Sequence, residues 1–193
     1  MMFQILALLC MAAFYTCYFA KLLAQRRQGI STMQLGKNNT GLPRLVERSL
    51  QIVTLAIPLV QLVCIGLNRS ALPTPCRWVG FGIAAAGDGV FIAAVVTMAD
   101  SWRAGVPKAG ETELVTRGIF RYSRNPAFLG FDLLYLGVLL MFFSVPLWLL
   151  SLLGIVLLHL QIVNVEEDFL LEAFGQEYLD YRAKVNRYLG RRG

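Results

Sequence analysis

Two short segments hold most of the residues whose types and spacing suit chemistry. The first runs from Leu114 to Gly130 and places Arg117, Arg121, Arg124 and Asn125 directly ahead of Pro126. The second opens with Glu166-Glu167 and continues through Phe174-Gly175-Gln176-Glu177-Tyr178 to Tyr181 and Arg187. Cations, carboxylates and phenols gathered beside apolar surface are able to hold a charged small molecule. Each feature also has a plain structural explanation. Asn is a preferred helix N-cap and Pro a preferred first helical residue. The arginines suit membrane anchoring. Glu166-Glu167 fits less easily, because acidic groups at a helix carboxy end oppose the dipole unless they open the next helix or face a cation.

Other patterns fall short of a site. Gly36-Lys37 has the start of a phosphate loop, but Asn38 stands where Ser or Thr is required. Gly80, Gly82, Gly87 and Gly89 lie inside an apolar span rather than after a strand, so close helix approach explains them. Cys10, Cys17, Cys64 and Cys76 show no metal-ligand spacing with His or with one another, and no metal is expected.

The elements that must position these residues are apolar. The chain has 193 residues, 56% hydrophobic and 16% charged, against about 25% charged for a typical soluble domain. Met1–Ala20 and Ser49–Leu67 carry no charge, and Trp78–Ala99 carries only Asp88. Between Pro126 and Val165 only Asp132 is charged. A bilayer core needs about 20 helical residues, so that last stretch makes two spans, with its turn at Ser144-Val145-Pro146. The expected fold is all-α: a polytopic bundle of five spans, helices four and five forming a hairpin. One integral-membrane domain covers 1–193, its first three spans in 1–99. A tail containing Phe169, Leu170, Leu171, Phe174, Tyr178 and Tyr181 among charges predicts an amphipathic helix, broken at Gly175 and resumed from Gln176 to Arg187.

Sixteen of the eighteen Lys and Arg residues fall after span one, after span three or in the tail. The positive-inside rule then places the amino terminus outside and the tail in the cytosol. The net charge of +6 is absorbed by this asymmetry, so no nucleic-acid partner is expected. Both polar segments lie at the cytosolic end of one hairpin. With a turn at Val145, Asp132 lies 13 residues before it and His159 lies 14 after it. Their depths nearly match, and pairing or joint lining of a pocket is expected.

The two segments resemble the isoprenylcysteine carboxyl methyltransferase family and its phospholipid methyltransferase relatives. The shared features are Leu114, Val115, Gly118, Arg124, Pro126, Glu166, Glu167, Phe174, Gly175, Tyr178 and Tyr181, in the family's order and spacing. The resemblance covers about residues 100 to 190. Asn125 stands where eukaryotic members have His, and Phe120 and Phe128 stand where they have Tyr, a departure that leaves the prenylated-cysteine acceptor open. Bacterial members similar to this chain carry Asn.

The resemblance implies a methyltransferase using S-adenosyl-L-methionine, with S-adenosyl-L-homocysteine as product. It implies a cofactor site from Leu114, Val115, Gly118, Ile119, Tyr122, Arg124, Asn125, Pro126, Phe128, Leu129, Glu166 and Glu167. One of the adjacent glutamates would pair the cofactor ammonium, since neighbours sit about 100° apart on a helix. Arg124 would meet its carboxylate, and Arg124 and Glu167 are the expected catalytic residues. Asp132, His159, Tyr178, Tyr181 and Arg187 are the expected acceptor-pocket residues. The expected partners are the bilayer and an amphiphilic, lipid-like acceptor offering a carboxylate, thiol or amine. A non-catalytic scaffold or transporter-like bundle is the competing class, although no inverted repeat or discontinuous helix favours a transporter.

Overall fold

The computed structural model describes residues 1–29, 41–102 and 113–192, and the Gly36-Lys37 pair lies outside them. Six helices follow in order: α1 (Met2–Arg27), α2 (Gly41–Leu67), α3 (Thr74–Met98), α4 (Pro126–Met141), α5 (Val145–Gln161) and α6 (Glu167–Lys184). No strand occurs among the described residues, only an isolated bridge between Val185 and Arg191. The architecture is a helical membrane bundle. Among the described residues four helical runs, the last of them Val145–Lys184, are long and apolar enough to cross, while α4, with 16 residues, is a shorter apolar helix. It spans about 24 Å against a core of about 30 Å.

Several boundaries differ from those read in the sequence. α1 continues to Arg27 and α2 begins at Gly41, so basic residues such as Arg44 and Arg48 ride on the ends of spans. The hairpin turn is Phe142–Ser144, because Val145 and Pro146 already open α5, where proline's fixed φ suits the first turn. α5 does not stop near Val165. It passes through a π-helical segment, Ile162–Glu166, directly into α6. Glu167 and Asp168 therefore stand in the first turn of the following helix, which removes the dipole conflict. The combined run Val145–Lys184 is 40 residues, about twice a bilayer's need, so its charged second half lies beyond the apolar core. The break at Gly175 is present, with φ 49°. The helix then ends at Lys184 instead of Arg187, and Val185–Arg192 folds back.

α3 and α4 pack most intimately, and glycine makes this possible. A Cβ on Gly137 would lie 2.5 Å from the Ala84 nitrogen, and one on Gly80 would lie 2.6 Å from the Gly137 carbonyl. Gly87 and Gly130 repeat the contact two turns away. Gly82 and Gly89, by contrast, face open space. An aromatic cluster of Phe14, Phe91 and Phe131 joins α1, α3 and α4, with Phe14 and Phe91 stacked at 4.0 Å. α2 packs on α5 where Ile57 meets Gly154. These contacts lock the helical ends that carry the polar segments.

Candidate cofactor site

The segment before α4 is held by the folded-back tail. Gly118 turns the chain with φ 59°, starting a single 3-10 turn through Arg121. The Tyr181 hydroxyl donates to the Phe120 carbonyl at 2.7 Å. The Arg124 backbone N–H donates to the Asn186 carbonyl at 3.1 Å, and Gly190 N–H donates to the Tyr122 carbonyl at 2.8 Å. Asn125 occupies the N-cap position of α4, yet its side chain makes no cap bond. Its amide donates instead to the Arg187 carbonyl at 3.2 Å, and its own N–H is received by Ser123 Oγ at 3.1 Å.

Beneath this lies a buried charge network. Arg124 Nη2 is 3.0 Å from Glu167 Oε1, with side chains only 4% and 8% exposed. Arg124 Nη1 donates to the Tyr178 hydroxyl at 2.6 Å. Arg187 grips Glu167 with two bonds, Nε to Oε1 at 2.7 Å and Nη2 to Oε2 at 3.0 Å. Burial pushes the Glu167 pKa up, but the Arg187 bonds and the Arg124 charge outweigh it and hold it below the ordinary value. Arg124 Nε is buried and has no hydrogen-bond partner among the described residues.

A cavity that Arg124 helps to line opens beside this network. Trp102, Phe120, Phe128 and Phe169 supply aromatic wall, Leu114, Val115, Pro126 and Leu170 aliphatic wall, and Arg124, Asn125, Tyr181, Glu113 and Glu166 the polar groups. Glu166 is weakly held by Gln161 Nε2 at 3.5 Å, the same nitrogen that lies 3.4 Å from Glu47. Burial pushes the Glu166 carboxyl up to about 7, opposed by the Gln161 hydrogen bond and reinforced by the Glu47 charge.

The structure thus brings Leu114, Val115, Arg124, Asn125, Pro126, Phe128, Glu166 and Tyr181 to one cavity. Gly118, Ile119, Tyr122 and Leu129 do not line it, and Tyr122 is 59% exposed. Nor do Glu167, Tyr178 and Arg187, which form the network behind Arg124. Asp132 and His159 are not bonded to each other. His159 Nδ1 lies 2.9 Å from the Tyr188 hydroxyl, while Asp132 Oδ1 is buried without a partner among the described residues. Matching depth sets no rotation about the helix axis, so facing helices can carry the two side chains to different neighbours.

Sequence reasoning missed Trp102, Phe120 as a wall residue, Phe169 and Glu113. Phe169 was accessible, since it follows Glu166 by three residues and shares its helix face. Trp102 carried no such sign; it reaches the site because Gln25 Nε2 donates to its carbonyl at 2.9 Å, tying the end of α3 to α1.

No curated protein matches this chain. A family model described as phospholipid methyltransferase matches residues 77–177, which is α3, the segment before α4, the hairpin and α6 past its Gly175 break. That match takes in just over half of the chain and nearly all of the cavity wall, and on it the protein belongs to the phospholipid methyltransferase family, a family of membrane methyltransferases.

Proposed function

We propose that the protein is an S-adenosyl-L-methionine-dependent methyltransferase that acts, from the cytosolic side of the bilayer, on a lipid-like or amphiphilic acceptor. The observation that carries this reading is the pairing of opposite charges on one aromatic-walled cavity, the Glu166 carboxylate and the Arg124 guanidinium, whose Nε has no hydrogen-bond partner among the described residues. An ammonium and a carboxylate on the same small molecule, as in an amino-acid moiety, complement that pair. Trp102, Phe120, Phe128 and Phe169 supply faces for an adenine ring and for a sulfonium, which aromatic rings attract as they do other cations. The cavity is about 110 Å³, against roughly 300 Å³ common for ligand sites.

The bound cofactor supplies an electrophilic methyl group. The chain's own residues bind, orient and exclude water. Glu166 fixes the ammonium, and Arg124 the carboxylate. Glu167, Tyr178 and Arg187 hold Arg124 in place, so Glu167 acts as a positioning residue. Displacement at carbon depends on alignment, which a rigid, internally bonded wall provides. The lipid-exposed flank of the bundle admits the apolar part of the acceptor. Incubating membranes that contain the protein with methyl-labelled S-adenosyl-L-methionine, then analysing the lipid extract by mass spectrometry, tests the activity. Label in a lipid or amphiphile fraction, absent from membranes carrying Glu166→Gln, is the expected result; equal labelling with and without the protein contradicts it.

A further inference from the structure

Asp132 is an ionisable side chain inside the apolar part of α4, where such groups are costly and face the bundle interior. Its Oδ1 is buried with no hydrogen-bond partner among the described residues. It follows Phe128, a cavity-wall residue, by one helical turn, about 6 Å deeper. Two further titratable groups meet on the same side. The His159 ring of α5 stacks on Tyr188 of the tail at 6.0 Å between centroids, with its Nδ1 2.9 Å from the hydroxyl. Burial raises the Tyr188 pKa, the Asp132 charge raises it further and Arg187 opposes both, so the carboxylate and phenol share one electrostatic neighbourhood. Tyr188 is also joined to the cofactor cavity, because Asn125 bonds the carbonyl of the preceding residue, Arg187.

We propose that Asp132, buried one helical turn below the cavity wall with its Oδ1 unpartnered, takes the proton from a methyl acceptor that arrives protonated, and that it marks the acceptor end of the site. This rests on the cofactor reading above. The buried, unpartnered Oδ1 needs a proton or cation to offset its burial, and the carboxylate repels an acceptor that is itself a carboxylate. For an amine, the N–H proton passes to the carboxylate, giving a neutral acid. The freed nitrogen lone pair then forms the new N–C bond as the sulfonium's C–S bond breaks, its electron pair staying on sulfur as a thioether. Asp132 afterwards returns its proton to water. A thiol undergoes the same exchange with S–H in place of N–H. Tyr188, held by His159, acts on Asp132 through charge alone and makes no hydrogen bond to it.

The test uses the intact protein in lipid nanodiscs with dodecylamine, dodecanethiol and dodecanoate as probes. Titration calorimetry without cofactor should show dodecylamine or dodecanethiol binding at least about tenfold more tightly than dodecanoate, and Asp132→Asn should erase that preference. With cofactor, Asp132→Asn should lower kcat for the preferred probe by roughly 100-fold, the scale of a lost general base. It should also remove the acidic limb of the pH–kcat profile, leaving S-adenosyl-L-homocysteine affinity and Tm near wild type. Tyr188→Phe and His159→Gln should shift that limb without removing it. Preference for dodecylamine identifies the acceptor as an amine, and for dodecanethiol as a thiol. A preference for dodecanoate, methylation of none of the three, or an Asp132→Asn variant with unchanged kcat and profile overturns the assignment. Failure of the wild-type protein to bind S-adenosyl-L-homocysteine would instead strike the cofactor reading beneath it.

Discussion

Glu166 and Glu167 are adjacent in sequence and differ in everything that surrounds them. Glu167 is locked between Arg124 and Arg187, whereas Glu166 lines the cavity with one long contact to Gln161. Substituting each by Gln should therefore produce different losses. Glu167→Gln leaves the buried Arg124 and the half-buried Arg187 short of a counter-charge and should destabilise the fold by roughly 3–5 kcal/mol, read as a lower Tm. Glu166→Gln should leave Tm near wild type and weaken S-adenosyl-L-homocysteine at least about tenfold in a calorimetric titration. Equal losses of affinity with no change in Tm would contradict the division of roles. The pH dependence has a definite sign. Only the ionised form of Glu166 attracts an ammonium, and its pKa is about 7, so affinity should rise with pH through that value. Below it the ionised fraction falls about tenfold per pH unit. Affinity that is flat across this range, or that rises on acidification, would argue against Glu166 as the partner. The need for one outward and one inward glutamate was legible from helical geometry, but which was which depended on Arg187. That residue reaches Glu167 only because the chain turns back after Lys184, and no local pattern announced the turn.

At the scale of elements, close packing of α3 on α4 positions the whole polar end of the hairpin. Gly137→Ala should overpack this contact, since the new Cβ meets backbone rather than a flexible side chain, and cost about 1–3 kcal/mol in thermal or denaturant unfolding. Gly82→Ala, on the open face of the same span, should cost nothing measurable or stabilise slightly, given alanine's better helix propensity. If the two behaved alike, the packed face would be misassigned. The apolar runs disclosed the five apolar helices α1–α5 and the hairpin of α4 and α5. They also disclosed the break at Gly175. They did not disclose that α5 and α6 are continuous. The sign for that was a run of charge at Glu166-Glu167-Asp168, which reads equally as an end or as a beginning. A π-helical segment settles it by inserting an extra residue into the turn, which rotates the following helix without stopping it. Helix starts were also read too late, because residues such as Arg44 and Arg48 are tolerated on helix ends that emerge into the polar interface.

For the whole molecule, the distribution of Lys and Arg predicts that the cavity opens toward the cytosol. A reporter active only outside the membrane and fused after Gly193 should stay silent, and a strong signal from it would reverse the sidedness of the site. The bundle as a whole presents apolar side chains outward, among them Leu55, Val63, Val96 and Leu149, each more than half exposed, which suits a lipid surround. Within that shell a buried charge network gathers where α6 and the tail meet Arg124 at the start of α4. The cavity beside Arg124 is the proposed cofactor site. Titration of the purified wild-type protein with S-adenosyl-L-homocysteine tests this most directly. Saturable one-to-one binding, weakened by Glu166→Gln, is the predicted result; no heat at millimolar ligand from protein that melts cooperatively would contradict it.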